Sequence, residues 1–194
     1  MSSTNYYNLN ADSFIAQTRD ADMRAHYDRF LQHVPTGGRL LDAGSGSGRD
    51  AAWFKSLHYQ VEAFDASPAM VQATRDYADV PTKLMRFEDF AWSHKLDGIW
   101  ACASLLHVPR AALPEVLTRL LDHLQPEGVL YCSFKRGMEE RLVEGRYFND
   151  MERAQLSTIV DATGGKLRDV WETQDVRPGR NYGRWLNALI ARKP

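Results

Sequence analysis

The segment Arg39-Leu-Leu-Asp-Ala-Gly-Ser-Gly-Ser-Gly-Arg49 constrains the fold of this chain more than any other. An apolar run, Leu40 and Leu41, ends at the acidic Asp42 and runs into Gly44-x-Gly46-x-Gly48. An amphipathic segment begins at about Arg49. That order reads as a buried strand, a tight turn of bare backbone and the start of a helix, the arrangement with which an α/β sheet makes a floor for a nucleotide-like ligand. Glycine suits the turn because a side chain would oppose positive φ or hold a ligand away from the main chain.

A second strand, Val61-Glu-Ala-Phe-Asp65, ends in a carboxylate about 20 residues after the glycine turn, where βαβ folds set an acid on ribose hydroxyls. Ser67 and Pro68 follow as N-cap and first helical residue. A carboxylate at a strand's C-terminal tip before a capped helix faces the binding crevice. The alternative is that Asp65 only caps a turn.

A dinucleotide fingerprint, G-x-G-x-x-G/A, would set its third small residue at position 49. That position is Arg49, too large for close helix–strand packing. Glycines at every second position, with an acid two residues before the first, resemble motif I of the class I S-adenosylmethionine-dependent methyltransferases. The resemblance extends along the chain. Asp65 matches that family's ribose-binding acid. Glu88-Asp89-Phe90 matches its acidic-plus-aromatic pair beside the adenine, and Leu96 to His107 matches its fourth strand and motif IV. It covers roughly Arg39 to the C-terminus and is specific as a set. In size and plan the chain also looks like the short methyltransferases linked to tellurite resistance, an analogy of fold that leaves the acceptor open.

At 194 residues and 44% apolar content, the chain is sized for one domain with a core of its own. No apolar run is long enough to span a bilayer, and Met1-Ser-Ser-Thr-Asn-Tyr-Tyr7 lacks the basic and apolar regions of a secretory signal. Cys102 and Cys132 lie in apolar strand-like runs and read as small core hydrophobes. A cytoplasmic protein is expected. The six histidines have no metal-ligand spacing, so no metal is expected. A net charge of -1 disfavours general nucleic-acid binding. Only the last stretch is biased, with Arg177, Arg180, Arg184, Arg192 and Lys193 against Asp175, which reads either as a patch for an acidic substrate or as solvated strand ends.

No internal repeat is present. Residues 1–38 read as a polar helical cover or lid, in whose second half Met23, Tyr27, Phe30, Leu31 and Val34 share one helical face. Residues 39–194 read as the binding domain. Strands are expected at 39–43, 60–65, 82–87, 97–102 and 128–134, and helices at 48–57, 67–78 and 113–124. Residues 137–146 read as a loop or short mobile helix. Asn149-x-x-Glu152 resembles a capping box for a helix stopped by Gly164-Gly165. Two final strands, 166–173 and 183–192, are joined by a Pro178-Gly179 turn. The expected fold is an α/β/α sandwich on a seven-stranded, mostly parallel sheet whose last strand is antiparallel.

Ligands in such sheets sit outside the carboxyl ends of the strands. The resemblance implies S-adenosylmethionine as cofactor, with S-adenosylhomocysteine as product. Asp42 or the main chain at Gly44 and Gly46 would then meet the α-ammonium, and Arg49 the methionine carboxylate. Asp65 would take the ribose. Glu88, Asp89, Phe90 and Ala66 would serve the adenine, and Ala103 would line the same rim. His107 is the candidate general base, because it follows the fourth strand and can titrate near neutrality; a cap or orienting hydrogen bond is its other reading. Cys102-Ala-Ser-Leu105 is not the Asn/Asp-Pro-Pro-aromatic sequence of exocyclic-amine DNA methyltransferases, which disfavours base methylation. Tyr7, Lys135, Arg146, Tyr147 and Tyr182, with Tyr6, Arg19, Arg136, Phe148, Arg180 and Trp185, would wall an acceptor pocket. Aromatic walls with a few cations suit a small molecule, an anionic one among them. The expected activity is methyl transfer to a small-molecule acceptor by a monomer or homodimer. The alternative is a non-catalytic cofactor-binding or partner-binding domain of the same fold.

Overall fold

Leu40 and Leu41, like Ile99 and Trp100, send neighbouring side chains to opposite faces of a strand, and all four are buried. A strand buried on both faces belongs inside a parallel sheet covered by helices on each side. The computed structural model, which describes residues 3–177 and 183–193, has that architecture. Strands β1 (Arg39–Ala43), β2 (Gln60–Asp65), β3 (Thr82–Leu84), β4 (Leu96–Ala101) and β5 (Leu124–Lys135) run parallel. A hairpin of β6 (Glu140–Val143) and β7 (Arg146–Asn149) forms a separate small sheet. Strands β8 (Gly165–Gln174) and β9 (Arg184–Arg192) complete a seven-stranded sheet of order β3-β2-β1-β4-β5-β9-β8. The last strand, β9, is antiparallel to both its neighbours, as expected.

Helices α1 (Ser3–Leu9) and α2 (Ala11–Thr18) precede α3 (Arg24–Leu31). Met23, Tyr27, Phe30 and Val34 pack with Phe54 of α4 (Arg49–Ser56) against Leu40, Trp100 and Tyr131 on one face of the sheet. Helix α5 (Pro68–Ala78) packs beside α4. Helices α6 (Leu113–Asp122) and α7 (Arg153–Ala162) cover the opposite face, over Leu41, Ile99, Leu130 and Ile190.

Three local expectations are corrected. The fifth strand starts at Leu124 rather than at residue 128, because Leu124 already pairs with Leu96. The capping box of α7 is Glu152 with Gln155. Asn149 is instead buried, where it accepts from Arg110 Nε at 3.0 Å and donates to the Val108 carbonyl. Residues 137–146 hold most of the β6–β7 hairpin, turned by Glu144 (φ 51°) and Gly145 (φ 77°). Positive φ at both central residues is the tight turn whose twist matches a two-stranded ribbon. Asn or Asp usually occupies the first of them, and Glu144 hid the signal. The Pro178-Gly179 turn lies outside the described residues.

One buried carboxylate joins the layers beneath the glycine turn. Asp50, in the first turn of α4, accepts from Tyr27 Oη (2.5 Å), Arg49 Nε (2.6 Å), Arg49 Nη2 (2.9 Å) and Trp100 Nε1 (2.8 Å). Four donors fill the acceptor capacity of a carboxylate. Burial works to raise the Asp50 pKa, but the Arg49 guanidinium and the Tyr27 and Trp100 donors outweigh it and hold the carboxyl below its ordinary value. Replacing it as Asp50→Ala should leave the Arg49 charge buried and unpaired, a loss of about 3–5 kcal/mol. Urea denaturation should read that loss as a lowered midpoint; a change within about 0.5 kcal/mol would mean that the cluster carries no such weight.

Candidate active site

The carboxyl ends of β1, β2, β4 and β5 open into one cavity of about 780 Å³, within the range of small-molecule sites. Its floor is the glycine turn. Gly44, Gly46 and Gly48 have φ of 79°, 54° and 77°. A Cβ at Gly44 would stand 2.4 Å from Ser104 Cβ, and one at Gly48 2.9 Å from Thr74 Cα. A Cβ at Gly46 would point at the Phe14 ring, 3.3 Å away, so the bare backbone there faces the α2 side of the cavity.

Asp65 braces this turn from the next strand. One oxygen accepts from Gly46 N at 3.0 Å and the other from Ser67 N at 2.9 Å. The Ala66 N–H adds a third backbone donor, which still leaves the carboxylate room for a further one, and Asp65 lines the cavity. Burial raises its pKa, against the pull of the backbone donors. Ala66, Met85, Phe87 and Glu88 continue the wall beside it. Gly44, Gly46, Arg49, Asp65, Ala66, Glu88 and Ala103 thus meet on one surface, as expected from the sequence.

Three expected cofactor residues are elsewhere. Asp42 shares the face of Leu40, so its carboxylate turns under α4, is 2% exposed and accepts from Ala51 N at 3.1 Å. Burial and the neighbouring Asp50 push its pKa well up. It fixes the start of α4 and does not reach the cavity wall. Phe90 packs in the core with Phe64, Trp92 and His123. Asp89 is exposed beside the 3-10 turn Phe87–Asp89 and is not on the wall. That turn shifts the aromatic lining to Phe87. Arg49 is on the wall, but it is engaged by Asp50, by the Thr18 carbonyl (3.1 Å) and by Cys102 Sγ (3.9 Å). Cys132 is buried in β5, whereas Cys102 lines the cavity.

The far lobe is walled by the ends of β5, β8 and β9 and by the β6–β7 hairpin, with Lys135, Arg146, Tyr147, Phe148 and Trp185 among its lining residues. Tyr182 and Arg180 lie outside the described residues. Arg19 is turned away: it donates to the Ser47 carbonyl and stacks on Tyr77. Sequence reasoning missed Ser133, whose Oγ accepts from Ala103 N at 2.8 Å, and the hairpin residues Arg141, Leu142 and Val143. Buried His26, also missed, lines the cavity with an unpartnered Nδ1.

His107 stands where the two lobes meet. Its Nδ1 donates to the Tyr147 carbonyl at 2.6 Å, which leaves Nε2 to accept from Tyr7 Oη at 2.8 Å. Burial, with the nearby Arg146 charge, pushes its pKa down to about 3. The expectation that it titrates near neutrality is therefore not met. Tyr7 is pushed up to about 12 by burial, against the pull of Arg146. Helices α1 and α2 lie across the mouth: Asn8 Oδ1 accepts from Ser67 Oγ at 2.6 Å, Ser3 Oγ accepts from Tyr147 N at 3.0 Å, and Phe14 covers Gly46.

A doubly wound sheet with a glycine turn at one strand tip and a carboxylate at the next defines a class of proteins that seat a nucleoside-bearing ligand in the crevice. Within that class the family is settled by a model described as a methyltransferase domain, which matches residues 15–163. The chain belongs to this methyltransferase family. No curated protein sequence matches it. Among solved structures it is similar to the Burkholderia thailandensis 1,6-didemethyltoxoflavin-N1-methyltransferase, solved with 1,6-didemethyltoxoflavin and S-adenosylhomocysteine bound (20% identity, TM-score 0.75, 100% of this chain and 92% of that one). It is also similar to the CcbJ methyltransferase of Streptomyces caelestis (14% identity, TM-score 0.78, 99% of each chain). The [4+2]-cyclase SpnF is comparably alike (15% identity, TM-score 0.75, 98% and 95%). At these identities the likeness concerns the fold.

The His107 environment has a consequence for acid stability. Its folded pKa of about 3 lies below the ordinary value of 6.5, so on acidification the unfolded chain binds the proton first. The stability linked to neutral His107 is complete above about pH 6.5 and is lost as pH falls toward about 3. Thermal melts from about pH 7 to about pH 4.5 should show the wild type losing stability relative to His107→Gln. A constant difference over that range would mean that His107 keeps an ordinary proton affinity.

Proposed function

We propose that this protein transfers the methyl group of S-adenosylmethionine to a small-molecule acceptor. The observation that carries the reading is the continuity of the cavity: its glycine-turn lobe and its hairpin lobe join at His107, so two ligands can meet there. The cofactor supplies a methyl group on a sulfonium whose leaving group is a neutral thioether. What remains for the chain is to bind, orient and exclude water.

Asp65 takes the ribose hydroxyls with the acceptor capacity that its backbone contacts leave open. Ala66, Met85 and Phe87 enclose the adenine, and Glu88 offers a polar contact at that end. The bare backbone of the turn 44–48, whose Gly44, Ser45, Gly46 and Gly48 N–H groups are already engaged within the fold, and the positive end of α4 receive the methionine part. Arg49, already tied to Asp50, adds its charge there from a fixed position. His107 serves as a neutral acceptor that orients Tyr7 against the reacting centre. Tyr7, Lys135, Arg146 and Tyr147 contact the acceptor, with Tyr182 a further proposed contact. Two cysteines without a disulfide fit a reducing compartment, and we assign the protein to the cytoplasm. No helix of the described residues is long and apolar enough to cross a membrane.

Asp65→Ala should weaken S-adenosylmethionine binding by about 1.5–3 kcal/mol in calorimetry, as expected for hydrogen bonds to a charged group. Unchanged affinity would remove Asp65 from the ribose and the cofactor assignment with it. A labelled-methyl screen against a metabolite extract tests turnover: transfer of label identifies the acceptor class. Cofactor binding without any transfer would favour a non-catalytic binding domain.

Residues 1–38 divide in role on this reading. Helix α3 belongs to the core, while α1 and α2 form a cover that opens to admit ligands and closes to exclude water. Their few buried contacts, mainly Tyr7 and Phe14, offset little of their ordering entropy. Trypsin should cut after Arg19 in the free protein, and S-adenosylhomocysteine should slow that cut several-fold. Deleting residues 1–19 should lower turnover more than melting temperature. Equal cleavage with and without ligand would make the cover a permanent part of the fold.

A further inference from the structure

We infer that the acceptor binds as an anion, a carboxylate or similar oxyanion on a flat apolar body, received by the guanidinium of Arg146. The inference rests on the methyl-transfer reading above and names the chemistry of its second ligand. Arg146 opens β7, beside the hairpin turn, and lines the cavity. It lies over the Tyr6 ring at 4.1 Å and near the Phe148 ring at 5.3 Å. Two rings from different elements hold the planar group, and a guanidinium so held offers its edge for paired hydrogen bonds to a planar oxyanion.

The side chain is 16% exposed, yet its one ion-pair partner among the described residues, Glu144, stands on the hairpin turn at 68% exposure. Water screens that pair, and on its inward side the guanidinium meets the neutral Tyr7 hydroxyl, a polar partner that brings no counter-charge. Arg146 Nε is buried with no hydrogen-bond partner among the described residues. The far lobe's one carboxylate among the described lining residues, Asp175, is already held by Arg177 at 2.5 Å and Lys135 at 3.4 Å. It does not neutralise Arg146. The Arg146 charge is felt at Tyr7 and His107, where it opposes protonation of the imidazole and favours ionisation of the phenol. A ligand beside that pair therefore enters a positive field.

The surroundings specify the rest of the molecule. Leu142 and Val143 line the mouth and remain exposed, and Phe148 and Trp185 face the same lobe. A planar apolar body would cover them while its anionic group meets Arg146. A neutral amine of the same shape would bring no charge to balance the guanidinium, and an ammonium would oppose it.

The test is a calorimetric titration of the protein with S-adenosylhomocysteine and then, in the resulting complex, with benzoate, benzamide and benzylamine. Benzoate should bind about tenfold or more tightly than benzamide, the worth of one charge-assisted hydrogen bond, and benzylamine most weakly. In Arg146→Met the preference for benzoate should vanish while affinity for S-adenosylhomocysteine is unchanged; Arg146→Lys should retain part of it. Benzamide or benzylamine binding as well as benzoate, absence of benzoate binding, or a preference that survives in Arg146→Met would overturn the inference. Should Arg146→Met not fold, the three-probe ranking in wild type together with Arg146→Lys decides. Failure of S-adenosylhomocysteine to bind in the first titration would instead overturn the methyl-transfer reading, and the same three probes in the free protein would still test Arg146.

Discussion

The carboxylate of Asp50 is the constraint on which the ligand-binding rim depends. A charge at that depth is tolerated only when its desolvation is offset by donors of good geometry, and Asp50 has them from α3, α4 and β4 through Tyr27, Arg49 and Trp100. The three elements are thereby held at one point, directly beneath the turn that carries Gly44 to Gly48. Asp42 is next to it and fixes the same helix through Ala51 N. Two neighbouring carboxylates in one apolar layer do not both ionise readily. Arg49 resolves the conflict in favour of Asp50, while burial and Asp50 itself push Asp42 up. The pair sets the position of the α4 N-terminus, and with it the donors that face the cavity.

The turn itself is braced sideways. Gly46 donates its N–H to Asp65 and its carbonyl accepts from Thr74 Oγ1, while Ser45 Oγ bonds the same threonine. Strands β1 and β2 and helix α5 therefore fix a loop whose only side chains are those of Ser45 and Ser47, both buried. A loop held in this way needs no ligand to define its path, which favours binding because less ordering remains to be done when a ligand arrives. The contrast with α1 and α2 is direct: those helices bury few side chains and touch the rim at single points such as Asn8 with Ser67. Rigid floor and lightly held cover are a division of labour suited to a site that must both shield a reactive sulfonium and exchange ligands.

The floor was legible in the sequence and the hairpin that walls the far lobe was not, for physical reasons. Strands buried on both faces write continuous apolar runs such as Leu40-Leu41 and Val129-Leu130-Tyr131, and the glycine spacing carries its own geometry. Asp65 could be located because a strand end and a helix cap bracket it. Asp42 was misread because its place before the glycines suggested the rim, while the two-residue period of β1 sends it under α4 with Leu40. Phe90 was assigned to the adenine by its neighbours in sequence; a 3-10 turn brings Phe87 to the cavity wall and leaves Phe90 in the core. The β6–β7 hairpin left almost no trace, since its strands are short, charged and half exposed, and Glu144 stands where the turn usually takes Asn or Asp. The pairing of His107 with Tyr7 spans a hundred residues and follows no local pattern.

The same separation bears on chemistry. Methyltransferases and the [4+2]-cyclase SpnF resemble this chain over nearly its whole length, so the sheet and its helices do not by themselves dictate a reaction. In this protein the residues that could do so are on the parts grafted onto the sheet: Tyr7 on α1, Arg146 and Tyr147 on the hairpin, and Trp185 at the start of β9. They converge because Arg110, in the turn before α6, holds the hairpin and its flanks, with Nε on Asn149, Nη1 on the Met138 carbonyl and Nη2 on the Asp150 carbonyl. Those contacts fix the hairpin from its outer side and leave its inner side, with Arg146 and the Tyr147 carbonyl, turned toward His107. On the proposed reading, change in the hairpin would alter which acceptor is received while leaving in place the bonds of Asp50 and of the glycine turn, which run through α3, α4, α5, β2 and β4.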